Sequence, residues 1–343
     1  MLLSAVYVTI EEEDKEESIN SRVLAEIEQK DFDDPNDAYE YREKRIQELK
    51  EEHNLDEPRI KRIFYSAVDL VTFDFGKSER YAVGGGREIS AVIMAYLPYT
   101  ILLFTSGAAI YSLIGILIGL KAAQFSRSKL DKIITLVSAT SSSVPLWWAG
   151  MIFLVIFSYM LGWYPRPSPF FPYVKDVGYL GYIKELLIKM SLPLFTLILV
   201  KFGASLWTSR NIASRILQDD YIMAARSKGI PERRVIYGHT LKTAAPPIMT
   251  NTILALLTSF GGFLIAEVVF QWPGIGYLLR RALFESSTSY LTHGTSVFEQ
   301  GLISAIVFIL VVISIIGLYI ADILYGLLDP RIEVGSQFSK EGK

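Results

Sequence analysis

Five stretches of this chain stay apolar for longer than the interior of a soluble domain requires: residues 97–120, 133–161, 186–206, 248–270 and 302–328. A helix needs roughly 20 such residues to cross a hydrocarbon layer of about 30 Å, and each stretch reaches that length. The apolar positions are continuous rather than alternating, which excludes the pattern of barrel strands and leaves helices to satisfy the backbone in lipid. The predicted fold is all-α, a polytopic membrane protein with five complete transmembrane helices.

Upstream of the first stretch the pattern changes. Residues 1–10 are apolar but half the length of a span, and with an acidic run following at 11–17 and no basic segment before it they do not read as a signal peptide. From 11 to about 81 the chain is charged, with a helix predicted at 37–53 and scattered apolar residues such as Phe64, Leu70, Phe73 and Phe75. Gly84, Gly85 and Gly86 read as a flexible joint before the membrane. They do not read as a phosphate loop, because no Lys-Ser/Thr follows.

Composition agrees with a membrane protein: 51% of the 343 residues are hydrophobic, and the mean hydropathy is +0.31. With no Cys, disulfides, thiol catalysis and Cys-bound metals are excluded. The net charge of −2 conceals an asymmetry, for residues 1–95 hold 13 Lys and Arg against 23 Asp and Glu. The remainder is correspondingly basic, and its basic residues cluster in alternate loops. Lys121, Arg127, Lys129 and Lys132 face one acid in the loop at 121–132. The loop at 207–247 holds seven Lys and Arg against three acids. Both belong in the cytoplasm by the positive-inside rule, together with the tail at 333–343. The loops at 162–185 and 271–301 belong outside, where Trp163, Tyr164, Trp272 and Tyr277 suit an interfacial aromatic belt. The domain reading is thus an extracytoplasmic region at 1–95, spans at 96–206, a cytoplasmic loop at 207–247, two further spans at 248–332 and a tail. Placing the acidic region outside requires one more membrane helix before it, of which residues 1–10 would be the remnant.

The stretch at 219–247 is polar, basic and rich in helix formers, yet lies between two apolar runs. Ile212, Ile216, Tyr221, Ile222 and Met223, set among charges, predict an amphipathic helix over 211–228 at the membrane surface. Gly229 suits the left-handed position after a helix end, and Pro231 the start of the next helix, predicted to run to about Thr240. Glu232 then sits favourably in a first turn, with Arg233, Arg234 and Tyr237 exposed, and the small Ala224, Ala225 and Gly229 permit close approach by a partner.

The run Asp220-Tyr221-Ile222-Met223-Ala224-Ala225-Arg226-Ser227-Lys228-Gly229, with Glu232-Arg233-Arg234-Val235 and Pro247 after it, resembles the EAA loop of ABC importer permeases of the dipeptide and oligopeptide subfamily. Further blocks are similar: Leu97-Pro98-Tyr99-Thr100, Ser143-Val144-Pro145-Leu146-Trp147, Leu161-Gly162-Trp163-Tyr164-Pro165, Phe270-Gln271-Trp272-Pro273-Gly274-Ile275-Gly276 and Leu327-Leu328-Asp329-Pro330-Arg331. Together they cover about residues 45–332. Three departures stand out. Met223 occupies the position of a Glu in the broader signature, the first of six expected helices is truncated or absent, and 291–301 fits the family's external stretch only loosely.

The resemblance implies a permease subunit, not an enzyme, in a cell membrane with its C-terminus in the cytoplasm. It implies pairing with a second homologous permease, two cytoplasmic ATPase subunits that bind ATP and Mg, and an extracytoplasmic substrate-binding protein. Asp220, Ala224, Ala225, Gly229, Pro231, Glu232, Arg233 and Arg234 would form the ATPase-coupling surface, and transport would proceed by ATP-driven alternating access. The implied substrate is a peptide, with oligosaccharides or nickel as the subfamily's other cargoes. A rival of another class, an ion-coupled secondary transporter, predicts internal repeats and paired midplane charges, and gives the basic loop no role.

Individual residues add candidates. Glu267 and Lys201 lie within apolar runs, where ionisable groups are costly; each either lines the pathway or forms an internal pair or snorkels near a helix end. Pro145 and Pro193 mark kinks or hinges, and Pro145 and Trp147 join Glu267 as pathway candidates. The small residues 138–143 permit close helix packing. Asp322 reads as a packing anchor in the last helix. His53, His239 and His293 lie too far apart for a metal centre, no Gly-Lys-Ser/Thr loop binds ATP in this chain, and nothing suggests a nucleic-acid partner.

Overall fold

The computed structural model describes residues 35–52, 57–78, 86–126, 128–169, 174–258, 260–284 and 299–328, with isolated positions within 8–30 and at 55, 81 and 83. Outside the described residues lie His53, Gly84 and Gly85, His293, most of the loosely matching stretch at 291–301, the block Asp329-Pro330-Arg331, the tail, and residues 1–10 except 8 and 9. Helices make up the described structure, with only two isolated β-bridges, Lys77 with Glu88 and Val83 with Gly86. Internal contacts divide the chain into one unit of residues 1–98 and 278–311 and another of residues 99–277 and 312–343.

In the first unit, α1 (Pro35–Glu52) lies close to the predicted 37–53. Its Leu49 packs with Ile19 and Val23, and Arg45 bridges Glu26 at 3.1 Å and Glu48 at 2.9 Å. The second helix, α2 (Arg59–Val71), falls where the sequence reading saw only scattered apolar residues. It stops at Thr72, and Phe73 turns the chain with a φ of 61°. The Ile89 N–H then donates to the Gly76 carbonyl at 3.1 Å, tying this turn to the start of α3 (Ile89–Ala123). Phe73 and Phe75 rest edge-on against Phe308, at 5.8 and 6.1 Å between ring centres.

The second unit is a helical bundle. Its members are the body of α3, α4 (Lys129–Ser143), α5 (Leu146–Phe153) with a π-helical extension over Leu154–Met160, and α6 (Val174–Ile216). Beyond the loop come α9 (Leu241–Thr258), α10 (Phe260–Phe270), the start of α11 (Ile275–Phe284) and the end of α12 (Gln300–Leu328). Leu103, Phe104, Leu146, Ala149, Leu197, Val200 and Trp272 form one buried core. Among the described residues three helices, Ile89–Ala123, Asp176–Ile216 and Gln300–Leu324, are long and apolar enough to cross a membrane.

A fourth span exists only if the bent pair α4 and α5 counts as one, and here the sequence expectation of an unbroken helix over 133–161 is corrected. The pair bends by 89° at Val144 and Pro145. Pro145 has no N–H to donate, and its ring forces the preceding residue out of helical geometry, so Val144 sits at φ −84° and ψ 123°. The stretch expected at 248–270 corresponds to α9 and α10, with residue 259 outside the described residues. The third stretch is much longer than 186–206: past the non-helical Gly178, with its φ of 69°, α6 continues through Lys184 and Glu185, which the sequence reading had left in an external loop.

Small residues decide how closely these helices pack. Gly115 and Gly119, four apart on α3, face Ser205 and Ser209 on α6, the small-residue spacing that lets two backbones approach. A Cβ on Gly119 would stand 2.9 Å from the Leu206 carbonyl oxygen. Between α4 and α6 the Ser141 hydroxyl donates to the Leu199 carbonyl at 2.6 Å, as the small residues at 138–143 led one to expect. At one end of this pair Arg210 meets Asp131 at 2.6 Å, both side chains only 13% exposed.

Candidate functional site

The loop at 217–240 is two short helices clamped from behind. After α6 a single turn leads to Asp219, whose extended backbone (φ −68°, ψ 145°) starts α7 (Asp220–Ser227). The predicted helix over 211–228 is therefore two helices rather than one. Gly229, at φ +76°, closes α7: its N–H reaches the Arg226 carbonyl at 2.9 Å and the Ile230 N–H reaches that of Ala225 at 3.3 Å. This pair of bonds is the Schellman motif, which needs a residue at home in the left-handed region. Pro231 then starts α8 (Glu232–Arg234), which continues as a π-helical stretch over Val235–Thr240, where the sequence predicted a short helix.

The inner face of this unit is apolar. Ile222, Val235 and Ile236 are buried against Leu120, Ala123, Ala213 and Leu217, and each contributes about 2 kcal/mol of burial. With the back fixed, the outer face presents Asp220, Ala224, Gly229, Pro231, Arg233 and Arg234 to solvent, with Glu232 half-exposed. Ala225 differs from the other sequence candidates in facing the protein itself, at 8% exposure. Arg226 grips Glu232 across the turn with two bonds, of 2.7 and 3.2 Å. That hydrogen-bonded guanidinium holds the Glu232 carboxyl below its ordinary range and is itself raised by the same pairing. Sequence reading missed this partnership, because Arg226 and Glu232 become neighbours only through the turn at Gly229.

The break at Pro145 opens onto a cavity of about 420 Å³ lined by Ser142, Ser143, Pro145, Trp147, Lys201 and Ile265, among others. Lys201 also lines a second cavity of about 100 Å³ with Tyr111, Thr208 and Asn251. Two of the three pathway candidates, Pro145 and Trp147, thus come together with Lys201. Pro193, by contrast, is accommodated inside the continuous α6.

Glu267 lines neither cavity. It is fully buried, and its carboxylate accepts the Gly276 N–H at 2.6 Å. The Glu267 carbonyl accepts the Trp272 N–H at 2.9 Å, the Trp272 indole donates to the Tyr99 carbonyl at 3.0 Å, and the Ile275 N–H donates to the Thr100 hydroxyl at 2.8 Å. The turn at 271–276 is thereby knotted around this carboxylate. It leaves no room for side chains: a Cβ on Gly274 would collide with the carboxylate, and one on Gly276 with the Leu264 backbone. Among the described residues no cluster of His, Asp and Glu could hold a metal ion.

Fold and site together define a multi-pass helical membrane protein carrying one rigidly backed, outward-facing loop. Residues 112–334 match the family described as binding-protein-dependent transport system inner membrane component, and the chain belongs to that family. It is 32% identical over 284 residues to the oligopeptide transport system permease protein AppB of Bacillus subtilis (strain 168), covering 82% of this chain and 83% of that protein. A dipeptide transport system permease protein, DppB, of Alkalihalophilus pseudofirmus is 29% identical over 304 residues, covering 84% and 86%. The di/tripeptide transport system permease protein DppB of Pseudomonas aeruginosa (strain UCBPP-PA14) is 26% identical over 291 residues, covering 81% and 82%. These relatives fall in the branch that the loop and its companion blocks resemble.

Proposed function

We propose that the chain is the permease subunit of an ABC importer that moves peptides across the cell membrane by ATP-driven alternating access. It works beside a second, homologous permease, two cytoplasmic ATPases that carry ATP and Mg, and an extracytoplasmic binding protein. The loop from 207 to 247 and the C-terminus lie in the cytoplasm, and α7 and α8 dock on the ATPase. What carries this reading is the clamped loop: the buried Ile222, Val235 and Ile236 couple its outer face to the ends of α3 and α6, so a push on Arg233 or Arg234 is delivered to spanning helices. A ligand can shift a two-state equilibrium only through its differential contact with the two states, and this face is where an ATPase that closes and opens makes such contact. The peptide assignment is supported by the substrates named for the relatives.

The test is reconstitution with the partner subunits in proteoliposomes. Arg233→Ala with Arg234→Ala, and separately Gly229→Asp, are expected to leave the permease folded and inserted while uncoupling substrate-stimulated ATP hydrolysis from uptake. Unchanged coupling would remove the loop from the mechanism. The ligand that co-purifies with the cognate binding protein decides the cargo, and an oligosaccharide or nickel there would overturn the peptide assignment.

A further inference from the structure

We propose that α2 is an interfacial anchor, lying along the bilayer surface with one face in lipid. Four of its apolar residues, at 60, 64, 68 and 71, form a stripe along the helix that points outward. Ile60 is 82% exposed, Phe64 54%, Val68 42% and Val71 68%. The inward side is narrower and mixed, with Leu70 buried and Ile63, Ala67 and Arg62 half-buried. Arg62, with its side chain only 13% exposed, pairs with Glu12 at 3.1 Å, and Arg59 pairs with the same carboxylate at 2.7 Å. A helix resting in water would need only the inward apolar residues, and the second, exposed stripe is left for an apolar environment.

Its position names the occupant of that face. The stripe ends beside Phe73, itself 53% exposed, which rests on Phe308. Phe308 lies eight residues into α12, about 12 Å along a membrane-spanning helix. The Gly76 carbonyl holds the N-terminus of α3, a second spanning helix, at 3.1 Å. The C-terminal end of α2 is therefore fixed at the boundary where two spans begin, and its exposed apolar surface runs on to an embedded one. Phe64 and Tyr65 supply the aromatic rings favoured at that depth, and Lys61, whose ammonium stands 5.6 Å from the Tyr65 ring centre, can reach back towards water. A bilayer interface satisfies all of these features, independently of what the protein transports.

The absence of Cys makes the test direct. The full chain carrying Ile60→Cys, Phe64→Cys or Val68→Cys, each labelled with a polarity-sensitive fluorophore, is placed in lipid nanodiscs. Blue-shifted emission, quenching by nitroxide-bearing lipids and protection from aqueous iodide are expected at all three. The label at Asp69→Cys, exposed on the opposite side of the helix, should behave in the reverse way. Equal iodide quenching at all four positions, without lipid quenching, would overturn the proposal. So would protection at 60, 64 and 68 that appears only on adding the purified binding protein, which would give the face to a protein partner.

Discussion

Two turns in this chain use nearly the same residues for opposite ends. Lys228-Gly-Ile-Pro-Glu232 and Gln271-Trp-Pro-Gly-Ile-Gly276 each combine Gly, Ile and Pro after a helix. The second is knotted round a fully buried carboxylate, and its glycines are present because neighbouring atoms fill the space a side chain would need. At the first, Gly229 has open space around it and is chosen for its backbone angle alone. A turn locked from every side transmits no change; a turn fixed only at its back and bare in front is free to meet a partner.

The sharpest test of that contrast is Gly276→Ala. Its Cβ would strike the Leu264 backbone, which cannot swing aside, so loss of several kcal/mol and failure to recover folded protein in detergent are expected. Next, Glu267→Ala leaves the Gly276 N–H buried without its acceptor, at a cost of about 1–3 kcal/mol, read as a lower unfolding temperature. Full retention of stability there would mean the knot does not hold the turn. Gly229→Ala tests the other turn: a side chain in the left-handed region costs about 1–2 kcal/mol but collides with nothing, so folded protein should be recovered in good yield.

The smallest effect belongs to Glu232→Gln. Pairing with Arg226 holds the Glu232 carboxyl below its ordinary value of 4.5, so the stabilisation is complete above that pH and fades as the pH falls below it. Both side chains are about 40% exposed, which limits the contribution to under about 1 kcal/mol. The difference between wild type and variant should vanish in acid; a difference that persists at pH 3 would show that the pair is not what Glu232 contributes.

How far the sequence reveals these features follows from the range of the interactions. Gly229 and Pro231 act through their own backbone angles, so the loop's two helices could be placed from local chemistry, and three of the five expected spans from length and apolarity. The break at Pro145 was visible as a residue but not as an 89° bend, because whether a Pro is absorbed, as Pro193 is in α6, depends on neighbours far along the chain. Glu267 looked like a pathway residue for the same reason: nothing nearby in sequence says that Gly276, nine residues on, folds back to meet it. The helical spacing of α2 and the Gly115/Gly119 pair were both legible, and were hidden only by the charges and the long apolar run around them.

The length of α6 has a mechanical meaning. From Gly178 to Ile216 the helix runs about 57 Å, well beyond the roughly 30 Å of a hydrocarbon core. The same rod that carries Lys201 beside the cavity also carries Ala213 into the packing behind the loop at 217–240. It is a lever whose longer arm, from Pro193 to Ile216, ends behind the loop at 217–240. Pivoting by about 5° near Pro193 would carry Ile216 through about 3 Å, comparable to the displacement by which packed helices shift between two states.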